Sequence, residues 1–408
     1  MSETNPSRQS PLAGVRVVEL AQYVAGPIAG RMLSDLGADV IKLELAPRGD
    51  LVRYYPPIRG EASVGIIAYN RGKRSVCIDV KQPQGAQLAA DLISRADIFL
   101  ENFSPGVLPK YGLGYEQLRR RNPRLIMCSI TGYGQNGPWA HKPANDVIAL
   151  ASSGTLHLIG DPDGVPSIPA LTVGDCSGGL HGFGAVCAAL YMREKTGEGQ
   201  NIDLSLDECL AHLLDNFYVM FQITDGKVVP KRTGSHYPSV SPMGVFKARD
   251  GFVTVVCMID QWPLFTRLIG RPEMATDPRF ETMENRVRNR PAVTAMVEEW
   301  LQSFDSREQA LAILEENHIL SAPVLDVPQA MEKAQMRARD GLATVSYPGV
   351  HDVRVCKTPI HFSNAEVEVR GNPPILGEHN RAVLGSVLGL TDDKIEELAR
   401  AGILIGGK

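Results

Sequence analysis

Over its first two hundred residues the chain alternates short, β-branched apolar runs with stretches of helical periodicity, and few folds accommodate that pattern. The runs are VRVVELA (15–21), DVIKLE (39–44), SVCIDV (75–80), DIFLENF (97–103), RLIMCSITGYG (124–134) and NIDLSL (201–206). Between them lie IAGRMLSDLGA (28–38), QGAQLAADLISRA (84–96), a short segment around YEQLRRR (115–121) and a long small-residue stretch that continues as a helix to about Arg193. Strands buried on both faces read as continuous apolar runs, and a crossover helix returns each one to its neighbour. The expected fold is therefore α/β, a parallel sheet with helices on its faces. Gly26 and Gly30 at the first turn, with Glu44 closing the second strand, imitate a dinucleotide site. The full G-x-G-x-x-G is absent, and packing of helix on sheet explains both glycines equally well.

The helix DECLAHLLDNFYVMFQI (207–223) is expected to close the sheet domain near residue 222. The texture then changes. GKVVPKRTGSHYPSVSPMG (226–244) has the composition of a linker or pocket loop, and a hairpin follows around Arg249, Asp250 and Gly251. Amphipathic helices such as AVTAMVEEWLQSF (292–304) complete a smaller α+β domain. At 408 residues, about two or three domains are expected. The division read here is a disordered tail (1–10), a large domain (11–222), a linker and small domain (223–340) and a C-terminal segment (341–408).

A net charge of -4 leaves no basic footprint for nucleic acid. The densest basic run, Arg119 to Arg121 with Arg124, reads as a solvated helix end. No stretch reaches membrane-spanning length and the polar N-terminus lacks a signal-peptide core, so a cytoplasmic enzyme is expected. The seven cysteines form no C-x-x-C pair, which argues for neither zinc nor a disulfide frame. Only Cys176, beside Asp175, invites suspicion as a nucleophile.

Asp175 itself, in LTVGDCSGGLHGFGAVCAAL (171–190), reads as the residue that opens the long helix. Asp is among the best N-caps, because its carboxylate accepts otherwise unpaired backbone N–H groups. Alternatively, a carboxylate so held, with glycines allowing close approach, can attack an activated acyl group.

The segments LGADVIKLE, NRGKRSVCIDVKQPQG, ADIFLENFSPGVLPKYGL, NPRLIMCSITGYGQNGP, NDVIALASSG, VGDCSGGLHG, REKTGEGQ and PPILGEHN occur in order along nearly the whole chain. Together they resemble the class III CoA-transferases, the family of formyl-CoA transferase, carnitine CoA-transferase and alpha-methylacyl-CoA racemase. The resemblance implies a Rossmann-like domain completed by the C-terminal segment, a second small domain, and a homodimer of interlocked rings. It implies that Asp175 is the catalytic carboxylate, passing through an acyl anhydride and an aspartyl-CoA thioester. It also implies that coenzyme A or acyl-CoA is a substrate, with no permanently bound cofactor and no metal. By the same resemblance Val24 and Ala25 lie near the pantetheine. Ile78 to Lys81, Asn102, Phe103, Ser104 and Lys110 line the nucleotide end, with Lys81 and Lys110 as its charges, and Lys142 and Asn145 stand over the thioester.

Two departures bear on the activity. Leu45 occupies the place of an adenine-contacting Arg, leaving Arg48 or Arg53 as substitutes. Asn145 stands where the racemases carry a His, and it cannot shuttle a proton at ordinary pH. Formyl-CoA transferases have Glu there and a glycine-rich loop in place of YPSVSPMG, which disfavours oxalate and formate. The expected activity is CoA transfer between organic acids, with a dicarboxylate such as succinate as donor. His236 and Arg232 are candidates for a distal carboxylate, with a solvated loop surface as the alternative. The rivals are a racemase or isomerase of the same family, an NAD-dependent oxidoreductase, and a partner subunit of a heteromeric pair.

Overall fold

A computed structural model describes residues 9–407. The tail expected at residues 1–10 therefore lies almost wholly outside the described residues. Two compact units divide the chain. The larger takes in the chain up to Ser153, Ala170–Leu213 and the chain from Gln335 onward, and the smaller comprises Gly154–Pro169 and Leu214–Ala334.

The apolar runs of the larger unit form β1 (Arg16–Leu20), β2 (Asp39–Leu45), β3 (Arg74–Ile78), β4 (Ile98–Glu101), β5 (Ile126–Thr131) and β6 (Asn201–Ser205). They pair in parallel in the order β3-β2-β1-β4-β5-β6. The order reverses between β1 and β4, and open parallel sheets bind ligands outside the carboxyl ends of the strands at such a reversal. α1 (Ala25–Asp35) follows β1, while α2 (Val64–Asn70) and α3 (Pro83–Ser94) lie on either side of β3 in sequence. α4 (Asp146–Ser152) and the long α5 (Val173–Thr196) connect β5 to β6, and α6 (Leu206–Leu213) follows β6.

The small residues of α5 serve close approach. A Cβ on Gly179 would stand 2.7 Å from the Ala25 carbonyl oxygen, and one on Gly178 would stand 2.4 Å from Leu206 Cδ2. α5 consequently lies tight against α1 and α6 and ends at Gly197, in the left-handed conformation favoured after a helix (φ +76°).

The C-terminal segment covers the exposed edge of β3. α10 (Asn380–Leu388) and α11 (Asp392–Arg400) contribute Val383, Leu384, Ile395 and Leu398 to the core shared by β1, β2 and β3. Leu404 bridges Ile78, and Asn380 Oδ1 accepts the Cys77 N–H at 2.9 Å. An unpaired strand edge is thus protected from pairing with another chain.

In the smaller unit, β7 (Met243–Ala248), β8 (Gly251–Val256) and β9 (Leu320–Pro323) form an antiparallel sheet in the order β9-β8-β7. α7 (Trp262–Leu268), α8 (Arg290–Gln302) and α9 (Arg307–Glu316) accompany it, with Trp262, Phe265, Val297, Leu301 and Leu314 in its core. The turn at Arg249 and Asp250 joins β7 to β8 as read from sequence. The helix read as continuous over 207–223 is instead two, α6 and Asp215–Ile223, and Leu214 between them begins the smaller unit. No described helix is long and apolar enough to cross a membrane.

Candidate active site

A cleft of about 720 Å³ opens in the larger unit at the reversal between β1 and β4. Val24 and Ala25 line it from the turn after β1, and Asn102, Phe103 and Ser104 from the turn after β4. Lys142, Asn145 and Asp146 approach from the start of α4, and Asp175 from the first turn of α5.

Asp175 is not the N-cap that its neighbourhood suggested. Thr172 holds that position, its hydroxyl engaged by Tyr69 and near Cys176 Sγ (3.6 Å). The capping carboxylate comes from elsewhere: Asp146 Oδ1 accepts the Asp175 N–H at 3.0 Å. Gly174 makes room for it, since a Cβ there would stand 3.1 Å from the same oxygen. Asp175 is thereby freed from capping. Burial first, and then the Asp146 carboxylate, push its carboxyl group up to about 7. Desolvation disfavours the charged form, and a like charge adds to it. A carboxylate so destabilised in water's absence is more basic, and hence a better nucleophile, than a solvated one.

Asn145 caps α4, its Oδ1 accepting the Ile148 N–H at 3.2 Å. The Lys142 ammonium lies 3.9 Å from the centre of the Trp139 ring, a cation–π contact at the cleft. Asn102 commits its amide to the turn opposite: Oδ1 accepts from Gln22 N–H and Nδ2 donates to Gln22 O, each at 2.8 Å. Its part is to hold the two strand ends together.

Two expectations for the nucleotide end, Ile78 and Arg53, are revised. Ile78 is fully buried beneath Leu404, and its carbonyl accepts the Ala46 N–H, so it presents nothing to a ligand. Lys81 and Lys110 line a separate cleft of about 370 Å³, joined there by Arg121, which also pairs with Asp91 at 2.7 Å. Arg53 is buried against Glu44 (2.6 Å) and donates to Pro374 O and the Tyr347 hydroxyl, so of the two substitutes for Leu45 only Arg48 is exposed. Glu44, held by Arg53, Ser75 and the Asp50 N–H, is equally unavailable to a ribose. In the smaller unit, Arg232 donates to the carbonyls of His157, Asp161 and Gly164, which tie it to its own unit. His236 packs on Phe246, and burial lowers its imidazole below the usual range.

A strand-end cleft holding a desolvated carboxylate fits acyl transfer. The pattern of CoA-transferase family III matches residues 12–380. The chain belongs to CoA-transferase family III. It is an enzyme, a CoA-transferase. Among curated relatives of this CoA-transferase, the succinyl-CoA:glutarate CoA-transferase of Mus musculus is 32% identical over 97% of the chain and 90% of that protein. The acetyl-CoA:oxalate CoA-transferase of Acetobacter aceti is 37% identical over 84% of the chain and 88% of that protein. The crystal structure of a CAIB/BAIF family protein from Brucella suis matches with a TM-score of 0.83 at 36% identity, covering 93% of this CoA-transferase and 100% of that chain.

Asp146, Tyr69, Tyr23 and Asp50 were not singled out from sequence. Asp146 adjoins an Asn at a helix start, a signal that reads as capping of its own helix and conceals its reach to α5.

Proposed function

We propose that the enzyme moves CoA from an acyl-CoA to a carboxylic acid through Asp175, with a dicarboxylate such as succinate as the donor acid. The observation that carries this is the half-buried Asp175 carboxylate, relieved of capping, in the cleft that also gathers Val24, Ala25, Asn102, Phe103, Ser104, Lys142 and Asn145. The Asp175 carboxylate attacks the thioester carbonyl; the C–S bond breaks and CoA leaves as thiolate, giving an acyl-aspartyl anhydride. The thiolate then attacks the aspartyl carbonyl, freeing the donor acid and leaving an aspartyl-CoA thioester. The acceptor carboxylate repeats the sequence in reverse and carries CoA away. Electrons and atoms balance without a metal or redox cofactor, and positioning supplies much of the rate.

Lys81, Lys110 and Arg121 suit the phosphates of CoA, since cations and backbone donors recognise such groups. The large domain with its C-terminal segment would hold CoA, and the cytoplasm is the proposed compartment. An interlocked homodimer is supported by the helix Asp215–Ile223, which buries none of its residues although it carries Tyr218, Val219, Phe221 and Ile223. A paralogous partner chain is the alternative.

Mass spectrometry after incubation with succinyl-CoA and hydroxylamine trapping is expected to place the adduct on the peptide bearing Asp175 and to find none in Asp175→Ala. CoA binding without modification of Asp175 by any donor overturns the proposal.

Asp146→Asn provides a second test. It keeps the oxygen that accepts the Asp175 N–H but removes a negative charge, so the Asp175 carboxyl becomes more acidic. The nucleophile must be ionised, and in the native enzyme the rate of acylation therefore rises through about pH 7. In the variant that limb is expected about one pH unit lower, measured as kcat/KM against pH. An unmoved limb means that Asp146 does not act on the nucleophile.

A further inference from the structure

Tyr23 sits in the left-handed region, with φ of +62°. A bulky side chain there is a genuine outlier, and glycine would occupy the position without strain. The surrounding structure enforces it. The Tyr23 N–H donates to Asp50 Oδ1 at 3.0 Å, and the same oxygen accepts the Val52 N–H at 2.9 Å. The other Asp50 oxygen pairs with the buried Lys42 at 2.8 Å. One residue earlier, Asn102 clamps both backbone groups of Gln22. Strain maintained by a buried ion pair and a double amide clamp points to a side chain that is needed where it stands.

Tyr23 lines the Asp175 cleft, half-exposed at its rim. Its ring meets Tyr55 edge-on, with centroids 6.5 Å apart and planes at 87°. Around the pair the wall is apolar, made by Val52, Pro56, Pro57 and Val64, and suits a short methylene chain. The phenol is a polar tip on such a wall. Arg232, suspected of receiving a distal carboxylate, is committed to carbonyl oxygens of its own unit.

We propose that Tyr23 is a specificity-determining residue of the acyl subsite: its hydroxyl donates to the distal carboxylate of a dicarboxylic acyl group, and Asp50 positions it. This rests on the CoA-transfer reading. The test measures dissociation constants of CoA, butyryl-CoA and glutaryl-CoA by calorimetry in an Asp175→Asn background, where no thioester is attacked. Tyr23→Phe is expected to weaken glutaryl-CoA about tenfold, as loss of a hydrogen bond to a charged group does, with butyryl-CoA and CoA unchanged. Tyr23→Gly is expected to weaken both acyl-CoAs and, by relieving strain, to leave the melting temperature no lower. Wild-type affinity for glutaryl-CoA in both variants overturns the inference, as does an equal loss for all three ligands. Failure of the native enzyme to exchange CoA between succinate and any acid overturns the transfer reading alone, because the binding ratios require no turnover.

Discussion

Replacing Asp175 by alanine or asparagine is expected to lower kcat/KM for CoA transfer by about 10⁴-fold or more, the scale of losing a covalent nucleophile. Its neighbours offer no substitute. Asp146 is buried against the N-terminus of α5, Asp50 is divided between Lys42 and two N–H groups, and Glu101 is held by Ser129 and the Phe103 N–H. Asp175→Glu keeps the carboxylate but displaces it by a methylene, and about 100-fold is expected, because acyl transfer depends on near-attack geometry. Stability should move the other way. The Asp175 carboxyl titrates near 7 in the fold, against about 3.9 in an unfolded chain. Between those values the folded protein binds more protons than the unfolded one, so this group's contribution to stability falls as pH rises. Asp175→Asn removes that liability. Its melting temperature is expected to exceed that of the native enzyme at pH 8, with the difference shrinking toward pH 4. A variant that keeps activity, or one whose stability difference does not vary with pH, would contradict the assignment.

Local pattern carried the sheet and the position of Asp175, because burial of strands on both faces writes itself into consecutive residues. What it could not carry depends on partners distant in sequence. From its immediate neighbours Asp175 reads as either a cap or a nucleophile, and what decides against the cap is an oxygen of Asp146, 29 residues earlier. Ile78 was placed against CoA, but Leu404 and the terminal helices return across the chain to bury it. Arg53 seemed free for adenine until β2 brought Glu44 beside it. The left-handed Tyr23 leaves no trace in composition or periodicity, since nothing about tyrosine announces φ above zero. Nor does Gly154–Pro169, whose regular structure is a short 3-10 turn at Leu156–Leu158, signal that it belongs with the smaller unit.

The largest expected loss of stability comes from Lys42→Met. Lys42 is fully buried between Glu19 and Asp50, each at 2.8 Å, and also donates to the Ala21 carbonyl. Lys73 closes the chain of charges from the other side, 2.6 Å from Glu19. Burial works against the Lys42 ammonium, yet the carboxylates of Asp50 and Glu19 hold its proton more firmly than usual. Methionine fills nearly the same volume, so the cost arises from stranded charge and not from a cavity. Glu19 keeps Lys73, but Asp50 loses the one cation in direct contact with it among the described residues while remaining out of water. Breaking a buried pair in this way costs about 3–5 kcal/mol, expected as a matching fall in unfolding free energy by urea titration. Adding Asp50→Asn should recover part of that loss, because an amide needs no counter-ion. A Lys42→Met enzyme as stable as the native one would mean that the network is solvated. The same network reaches the cleft, since Asp50 carries the Tyr23 N–H. Lys42→Met should therefore also weaken discrimination between glutaryl-CoA and butyryl-CoA, whereas Lys42→Met with Asp50→Asn, which retains the acceptor oxygen, should restore it. Stability and selectivity are then read from one pair of variants, and only a charge that positions the cleft predicts that both recover together.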